Sequence, residues 1–158
     1  MGFDYELERS GSDRLGEAAT IFAGRANRAL RDIGDVFTPA LKSNTPRVTG
    51  KLANSSRFQL RGTNRNQVLE VRQGARTPDG DFYGSFVRGG TKPHEILPKK
   101  KGGVLVFKIG GRTIFAKKVD HPGTKANPYH ERTMKQTSDQ ISGIISQAGI
   151  DIASDLMG

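Results

Sequence analysis

The chain has 158 residues, a formal net charge of +9 and no cysteine. Without cysteine there is no disulfide framework, no thiolate zinc site and no thiol nucleophile. No apolar run approaches the roughly 20 residues that a membrane helix needs, and residues 1–10 are polar with mixed charges, which is not typical of a signal peptide. We therefore expect a protein that is made in the cytoplasm, with one modest core and no membrane partner.

The positive charge is concentrated in the middle of the chain. Residues 1–43 carry 6 basic and 7 acidic side chains, residues 44–126 carry 17 and 5, and residues 127–158 carry 2 and 4. A basic segment between near-neutral ends is typical of a surface that meets an acidic partner or nucleic acid, and equally of a solvated face. Charge alone does not decide between these interpretations.

The first half of the chain predicts a flexible start, a long helix and two strands. Residues 1–11 are polar and predict a flexible N-terminal segment. From Ser12 to Leu41, apolar residues recur every three or four positions, which predicts an amphipathic helix. Pro39 lacks a backbone donor, so we expect this helix to kink or stop near Phe37. Residues 54–73 predict two strands joined by a turn.

The second half predicts a hairpin and a second long helix. Strand-like runs at 104–109 and 113–119 flank a Gly-Gly pair, which suits a type I′ turn because both of its central residues need positive φ. We expect this hairpin, about residues 98–120, to project from the domain or to fold across it. Helical spacing then runs from Tyr129 to Leu156, and Pro128 suits the entry to that helix.

Together these elements predict an α+β fold. It has an antiparallel sheet, a long N-terminal helix and a C-terminal helix packed on one face, and an extended basic β-hairpin. We expect residues 12–158 to form a single domain, because no linker divides them.

The histidines and glycines do not predict catalysis. His94, His121 and His130 each have an acidic neighbour, but adjacent residues of a strand point to opposite faces. No HExxH spacing places two ligands on one helix face. The glycines near Thr91 lack both the P-loop spacing and a following helix, so they indicate turns. We predict no catalytic residue, no metal site and no cofactor, and keep a metal-dependent nuclease as an alternative.

The hairpin is the main candidate contact surface. Basic β-ribbons can follow a phosphate backbone, while its phenylalanines could instead pack on a neighbouring protein. The residues that we expect to contact another subunit or partner are Lys99, Lys100, Lys101, Val104, Phe107, Arg112, Phe115, Lys117 and Lys118.

Three short motifs resemble those of one protein family. Residues 45–52 (TPRVTGKL), followed by Ser55, resemble the "Ala-Pro, Thr-Gly-x-Leu, Ser" segment of head–tail joining proteins of tailed bacteriophages. Residues 83–91 resemble that family's aromatic strand, which ends in Val-Glu-apolar-Gly-Thr, although Arg88 and Gly89 depart from the pattern. Residues 121–129 resemble its His-Pro-Gly turn into the last helix. The motif residues are Pro46, Gly50, Leu52, Gly90, Thr91, His121, Pro122, Gly123 and Pro128.

The resemblance implies a structural virion protein of the phage neck. Such a protein is made late in the host cytoplasm and forms a ring, six-fold in this family, that joins head to tail tube and is needed for tail completion. Its expected partners are copies of itself, portal-side adaptor or stopper proteins, the tail terminator or tube protein, and the genomic DNA that passes the channel. The alternatives are a tail terminator that caps the tube and a basic DNA-contacting module.

Overall fold

The computed structural model describes residues 10–63, 66–78 and 80–157, with side chains from Arg14 onward. Most of the segment predicted to be flexible, residues 1–11, lies outside the described residues, and its last two residues are helical. The elements in chain order are α1 (Ser10–Asn44), α2 (Lys51–Asn54), β1 (Ser56–Thr63), β2 (Asn66–Gln73), α3 (Gly84–Gly89), β3 (His94–Ile96), β4 (Leu105–Ile109), β5 (Arg112–Ala116), β6 (Val119–His121) and α4 (Tyr129–Met157). The predicted α+β class, with long first and last helices, is confirmed.

The strands of the described chain pair in three separate two-stranded antiparallel sheets rather than in one sheet. β1 pairs with β2, β3 with β6, and β4 with β5. The predicted hairpin is therefore confirmed as β4–β5, and its Gly110-Gly111 turn has positive φ at both glycines. Prolines at 93, 98 and 122 remove donors beside the three-residue strands β3 and β6, so neither strand extends into a longer ladder.

The expectation that the first helix kinks or stops near Phe37 is wrong in its stronger form. α1 contains Pro39 and continues to Asn44. An interior proline costs a helix about 3 kcal/mol. Tertiary packing offsets this cost, because Leu41 and Thr45, at the end of this segment, are almost completely buried.

The aromatic strand implied by the family resemblance is also wrong. Residues 84–89 form helix α3. Tyr83, Phe86 and Val87 are spaced three and four apart, which is the period of a helix rather than of a strand. Gly84 is buried, and an added Cβ there would clash with the ring of Phe82.

The described chain divides into two compact units. The first contains α1, α2, β1, β2 and α4, and the second is Ala75–Pro128, which contains α3 and β3 to β6. The single domain expected for residues 12–158 stays a prediction. Among the described residues, no helix combines the length and apolarity required to cross a membrane.

The first unit is built on the pairing of α1 with α4 and of α1 with the β1–β2 sheet. Gly34 allows α1 to lie close to the sheet, since a Cβ there would lie 2.5 Å from the Phe58 ring. Arg25 of α1 forms an ion pair with Asp155, which lies near the end of α4. The pair has two hydrogen bonds, 2.7 Å from Nε to Oδ2 and 3.0 Å from Nη2 to Oδ1. The Nη1 of Arg25 lies 3.2 Å from Asp151 Oδ2. Because the two bonds to Asp155 are parallel, they restrict how α1 and α4 can rotate relative to each other.

The Arg25–Asp155 pair predicts a pH-dependent contribution to stability. The hydrogen bond from Arg25 lowers the pKa of Asp155 below its usual 3.8. A carboxyl whose pKa is depressed in the folded state stabilises at higher pH, and that contribution is lost as the pH falls through the folded pKa. We expect Asp155→Asn to lower the urea midpoint of unfolding at about pH 7 and to lower it by less at about pH 2.

Circular dichroism during urea titration measures this difference, with Asp139→Asn, an exposed position on α4, as the matched control. The control should change the midpoint little at either pH. An equal loss for Asp155→Asn at both pH values would show that the ion pair does not stabilise the helix pair.

Candidate functional site

The motif between α1 and β1 forms a compact connection. The backbone N–H and the hydroxyl of Thr45 both donate to the Leu41 carbonyl, at 3.0 and 2.6 Å, and so close the last turn of the helix. Pro46 follows and ends the helical path. Gly50 has φ 75° where α2 begins, a left-handed conformation that favours glycine. Leu52 is then fully buried.

Ser55, the last motif residue, joins α2 to the end of β2. Its Oγ donates to the Leu52 carbonyl at 2.7 Å and accepts the backbone N–H of Gly74 at 3.1 Å. Two elements that are distant in sequence are therefore held by one hydroxyl.

Gln73, the last residue of β2, is the centre of a hydrogen-bond chain. Its Nε2 donates to Thr45 Oγ1 at 2.9 Å and to Ser56 Oγ at 3.0 Å. Its Oε1 accepts the hydroxyl of Tyr129, the first residue of α4, at 2.7 Å. Tyr129 and Thr45 are both buried, so these polar groups depend on one another for partners. We call this chain, Thr45–Gln73–Tyr129, the polar junction.

The start of α4 extends the same arrangement. Buried Thr133 donates to the Tyr129 carbonyl at 2.7 Å. Asn44, at the end of α1, donates through Nδ2 to Thr133 Oγ1 at 3.2 Å and to Gln136 Oε1 at 2.7 Å. The bonds of Asn44 link the end of α1 to α4, so they extend the framework that the polar junction begins.

The later motif residues bring two backbone segments together in the second unit. The N–H groups of Thr91 and Thr124 donate to each other's carbonyls, at 2.9 and 3.0 Å. Gly90 and Gly123 flank this bridge with φ 72° and 84°. A Cβ at Gly90 would clash with the Thr124 carbonyl, and one at Gly123 with the Thr91 carbonyl. Glycine is therefore needed at both positions for contact as well as for conformation.

His94 and His121 are cross-strand partners in the β3–β6 sheet, with stacked rings whose centroids are 5.1 Å apart. His94 Nδ1 donates to the Lys92 carbonyl at 2.8 Å, and His121 Nδ1 accepts the Gly123 N–H at 3.0 Å. Pro122 lies between His121 and that glycine. The described residues contain no group of three or more side chains that could hold a metal ion. The pair therefore orders the turn that leads to Pro128 and α4.

Lys118 is committed to the opposite face of the same sheet. Its Nζ donates to Glu95 at 2.7 Å and lies 3.5 Å from Asp120. The hydrogen bond to Glu95 raises the pKa of Lys118 above its usual value. Lys118 therefore pairs with two facing carboxylates, and its predicted contact with a partner stays a prediction.

The other predicted contact residues are spread along the hairpin and its approaches. Phe107 lies in β4, while Arg112 and Phe115 lie in β5. Val104 precedes β4, and Lys117 follows β5. Lys99, Lys100 and Lys101 lie in an exposed bend and turn before Val104, outside the paired strands. The lysines of this set therefore lie before β4 and after β5, and Arg112 is the first residue of β5.

The β4–β5 ribbon is apolar on both faces. Val106 pairs with Phe115 on one face, and these residues are 59% and 67% exposed. Phe107 pairs with Ile114 on the other face, since cross-strand partners share a side. Within the described residues, β4 and β5 pair only with each other, so both outer edges are open.

The fold and these sites define a small α+β protein whose motif residues build its framework and whose ribbon exposes apolar side chains. Residues 12–90, half of the chain, match a family model described as "Bacteriophage HK97-gp10, putative tail-component". The chain belongs to this HK97-gp10-like family of phage tail components, which confirms the resemblance to phage proteins of the head–tail region. The match spans α1 to α3, and the ribbon lies beyond it. Comparisons with curated proteins and with solved structures gave no match.

The glycines of the second unit provide a test of the close backbone contact. Gly123→Ala should destabilise this unit for two reasons. The new Cβ would clash with the backbone of Thr91, and alanine would have to adopt the positive φ of this position. Gly102→Ala is the matched control, with φ 78° and nothing within 4 Å. We expect only the conformational cost of about 1–2 kcal/mol for the control and a clearly larger loss at Gly123.

Hydrogen exchange of the Thr91 and Thr124 amides measures the effect. Both amides should lose protection in Gly123→Ala and keep it in Gly102→Ala. Equal protection in the two variants would show that the bridge does not require glycine at position 123.

Proposed function

We propose that this chain is a structural subunit of the phage neck, which forms a ring that joins the portal side of the head to the tail tube and completes the tail. Membership of a phage tail-component family supports a place in the virion. The ring, its six-fold symmetry and the layer that it occupies are proposals. The partners are other copies of the chain, portal-side adaptor or stopper proteins, and the tail terminator or tube protein. The protein is made in the host cytoplasm.

The observation that carries this proposal is the exposed apolar ribbon. An isolated two-stranded hairpin is marginally stable in water, and exposed apolar residues on both of its faces, together with open edges, favour association. Ring subunits make heterologous contacts, in which one surface of a subunit meets a different surface of the next. A ribbon of this kind supplies one of the two surfaces.

The framework residues support a role without catalysis. The motif residues Thr45, Gly50, Leu52 and Ser55 are committed to the packing and hydrogen bonds of the polar junction and its surroundings. Gly90 and Gly123 are committed to a backbone bridge. The side chains that form the motifs thus serve the shape of the protein, and the ribbon serves its contacts.

A basic DNA-contacting module is the second candidate, and the charge of one unit favours it. Residues 75–128 carry 11 basic and 4 acidic side chains, and two of those acids are already paired with Lys118. The observed affinity for DNA should then fall linearly with the logarithm of salt concentration, with a slope set by the number of phosphates contacted. Anisotropy titrations of the purified chain with duplex DNA at several salt concentrations separate this candidate from a ring subunit without DNA contact.

A tail terminator that caps the tube remains the alternative position within the tail.

Phe115→Ser tests the role of the ribbon in assembly. The side chain is exposed, so the substitution should cost the isolated chain only its cross-strand contact with Val106, about 0.2–1 kcal/mol. Loss of an aromatic anchor from an interface costs about 2 kcal/mol or more, so joined head–tail particles should decrease at least about tenfold. Electron microscopy of particles made with each variant as the sole source of the chain counts the joined forms.

Val48→Ser is the control, because Val48 is fully exposed and lies in the loop before α2, away from the ribbon in sequence. This variant should join heads to tails at the normal level. Normal joining by Phe115→Ser would contradict the proposed role of the ribbon, and joined particles that lack the chain would contradict the proposed function.

A further inference from the structure

A groove in the first unit has the features of a docking site. It has a volume of about 310 Å³ and lies between the N-terminal half of α1 and the start of β2. Small side chains leave its floor open, and its large apolar lining residues are Leu30 and Phe22, the latter 58% exposed. The residues that line the groove are Ala19, Phe22, Ala23, Ala26, Asn27, Leu30, Asn66 and Gln67.

Gln67 shows what chemistry the occupant should have. Its side-chain oxygen is buried and has no hydrogen-bond partner among the residues that the structure describes. A buried acceptor without a donor costs about 1–3 kcal/mol, and most buried polar atoms of folded proteins have partners. The groove therefore suits a segment that supplies apolar contact together with an N–H donor.

The tip of the β4–β5 ribbon has this chemistry. Ile109 is exposed and precedes Gly110 and Gly111, which have no side chains to obstruct entry between the alanines. The glycines carry backbone N–H groups at the turn, and an open strand edge carries more. Arg112 follows the turn and adds guanidinium donors.

We propose that the hairpin tip Ile109–Arg112 of one subunit docks in the α1–β2 groove of the next subunit, where one of its N–H groups donates to Gln67 Oε1. This contact joins two different surfaces of the same chain, so it is heterologous and repeats from subunit to subunit until the ring closes. The inference rests on the proposed ring and specifies which two surfaces form its interface.

Engineered cysteines test the contact, and the chain contains no native cysteine to interfere. Asn27→Cys places a thiol in the groove, and Arg112→Cys places one at the hairpin tip. Purified phage particles assembled with the double variant should give, on oxidation, a ladder of cross-linked oligomers on a non-reducing gel. The control pair is Arg112→Cys with Ser142→Cys, an exposed position on α4, and should give no ladder.

The possible outcomes distinguish failure of the docking inference from failure of the proposed function. Particles that contain the chain but give no ladder would overturn the docking inference and leave the ring intact. A cross-linked monomer without oligomers would show that the tip contacts the groove of its own chain. This result would also overturn the inference that the contact joins two subunits. Particles that lack the chain would overturn the proposed function itself.

Two further substitutions measure the energetics of the groove. Gln67→Leu removes the unpartnered acceptor, so the isolated chain should keep or increase its thermal stability while the yield of joined particles falls about tenfold, the equivalent of one hydrogen bond at the interface. Phe22→Asp should reduce joining similarly, whereas Ile145→Asp, with 57% exposure on α4, should not. Equal joining by Phe22→Asp and Ile145→Asp, or normal joining by Gln67→Leu, would contradict the inference.

Discussion

The first unit depends on the hydrogen bonds of one half-buried amide, that of Gln73. Gln73 accepts from Tyr129 and donates to Thr45, so the end of β2 is bonded both to the start of α4 and to the residue that follows α1. Water does not reach the buried Tyr129 and Thr45 to replace these bonds. Because a buried donor or acceptor without a partner costs more than a hydrogen bond gains, the three elements have one arrangement of low energy. The positions of the groove and of the helix pair follow from that arrangement.

This constraint explains why a motif of phage tail components is found in a loop. The residues around Gly50 act through backbone geometry, packing and hydrogen bonds. They turn the chain sharply, bury Leu52 and orient Ser55 toward the end of β2. The second unit has its own backbone bridge and an apolar ribbon with open edges. The proposed role in assembly would draw on both features, since contacts form best between surfaces that are already ordered.

Local patterns predicted the elements, and long-range contacts determined the rest. Helical periodicity predicted α1 and α4, and Gly110-Gly111 predicted the hairpin, because these signals lie within a few residues. Pro39 misled the prediction since its cost is offset by burial of Leu41, which depends on other elements. The residues around Gln73 do not predict its role in the polar junction, because its partner Tyr129 is 56 residues away in the sequence. The stacking of His94 on His121 likewise required the strand register, which neighbouring residues do not specify.

A double-mutant cycle on the polar junction tests the central claim most directly. Thr45→Val and Tyr129→Phe each remove one partner of Gln73 while preserving side-chain shape, and urea unfolding gives the free energy of each variant. Once one partner is lost, Gln73 can reorient, so loss of the second should cost less, and the two single losses should exceed the double loss by about 0.5 kcal/mol or more. Losses that add to within about 0.3 kcal/mol would show that Gln73 does not couple α1 to α4 and would contradict this account.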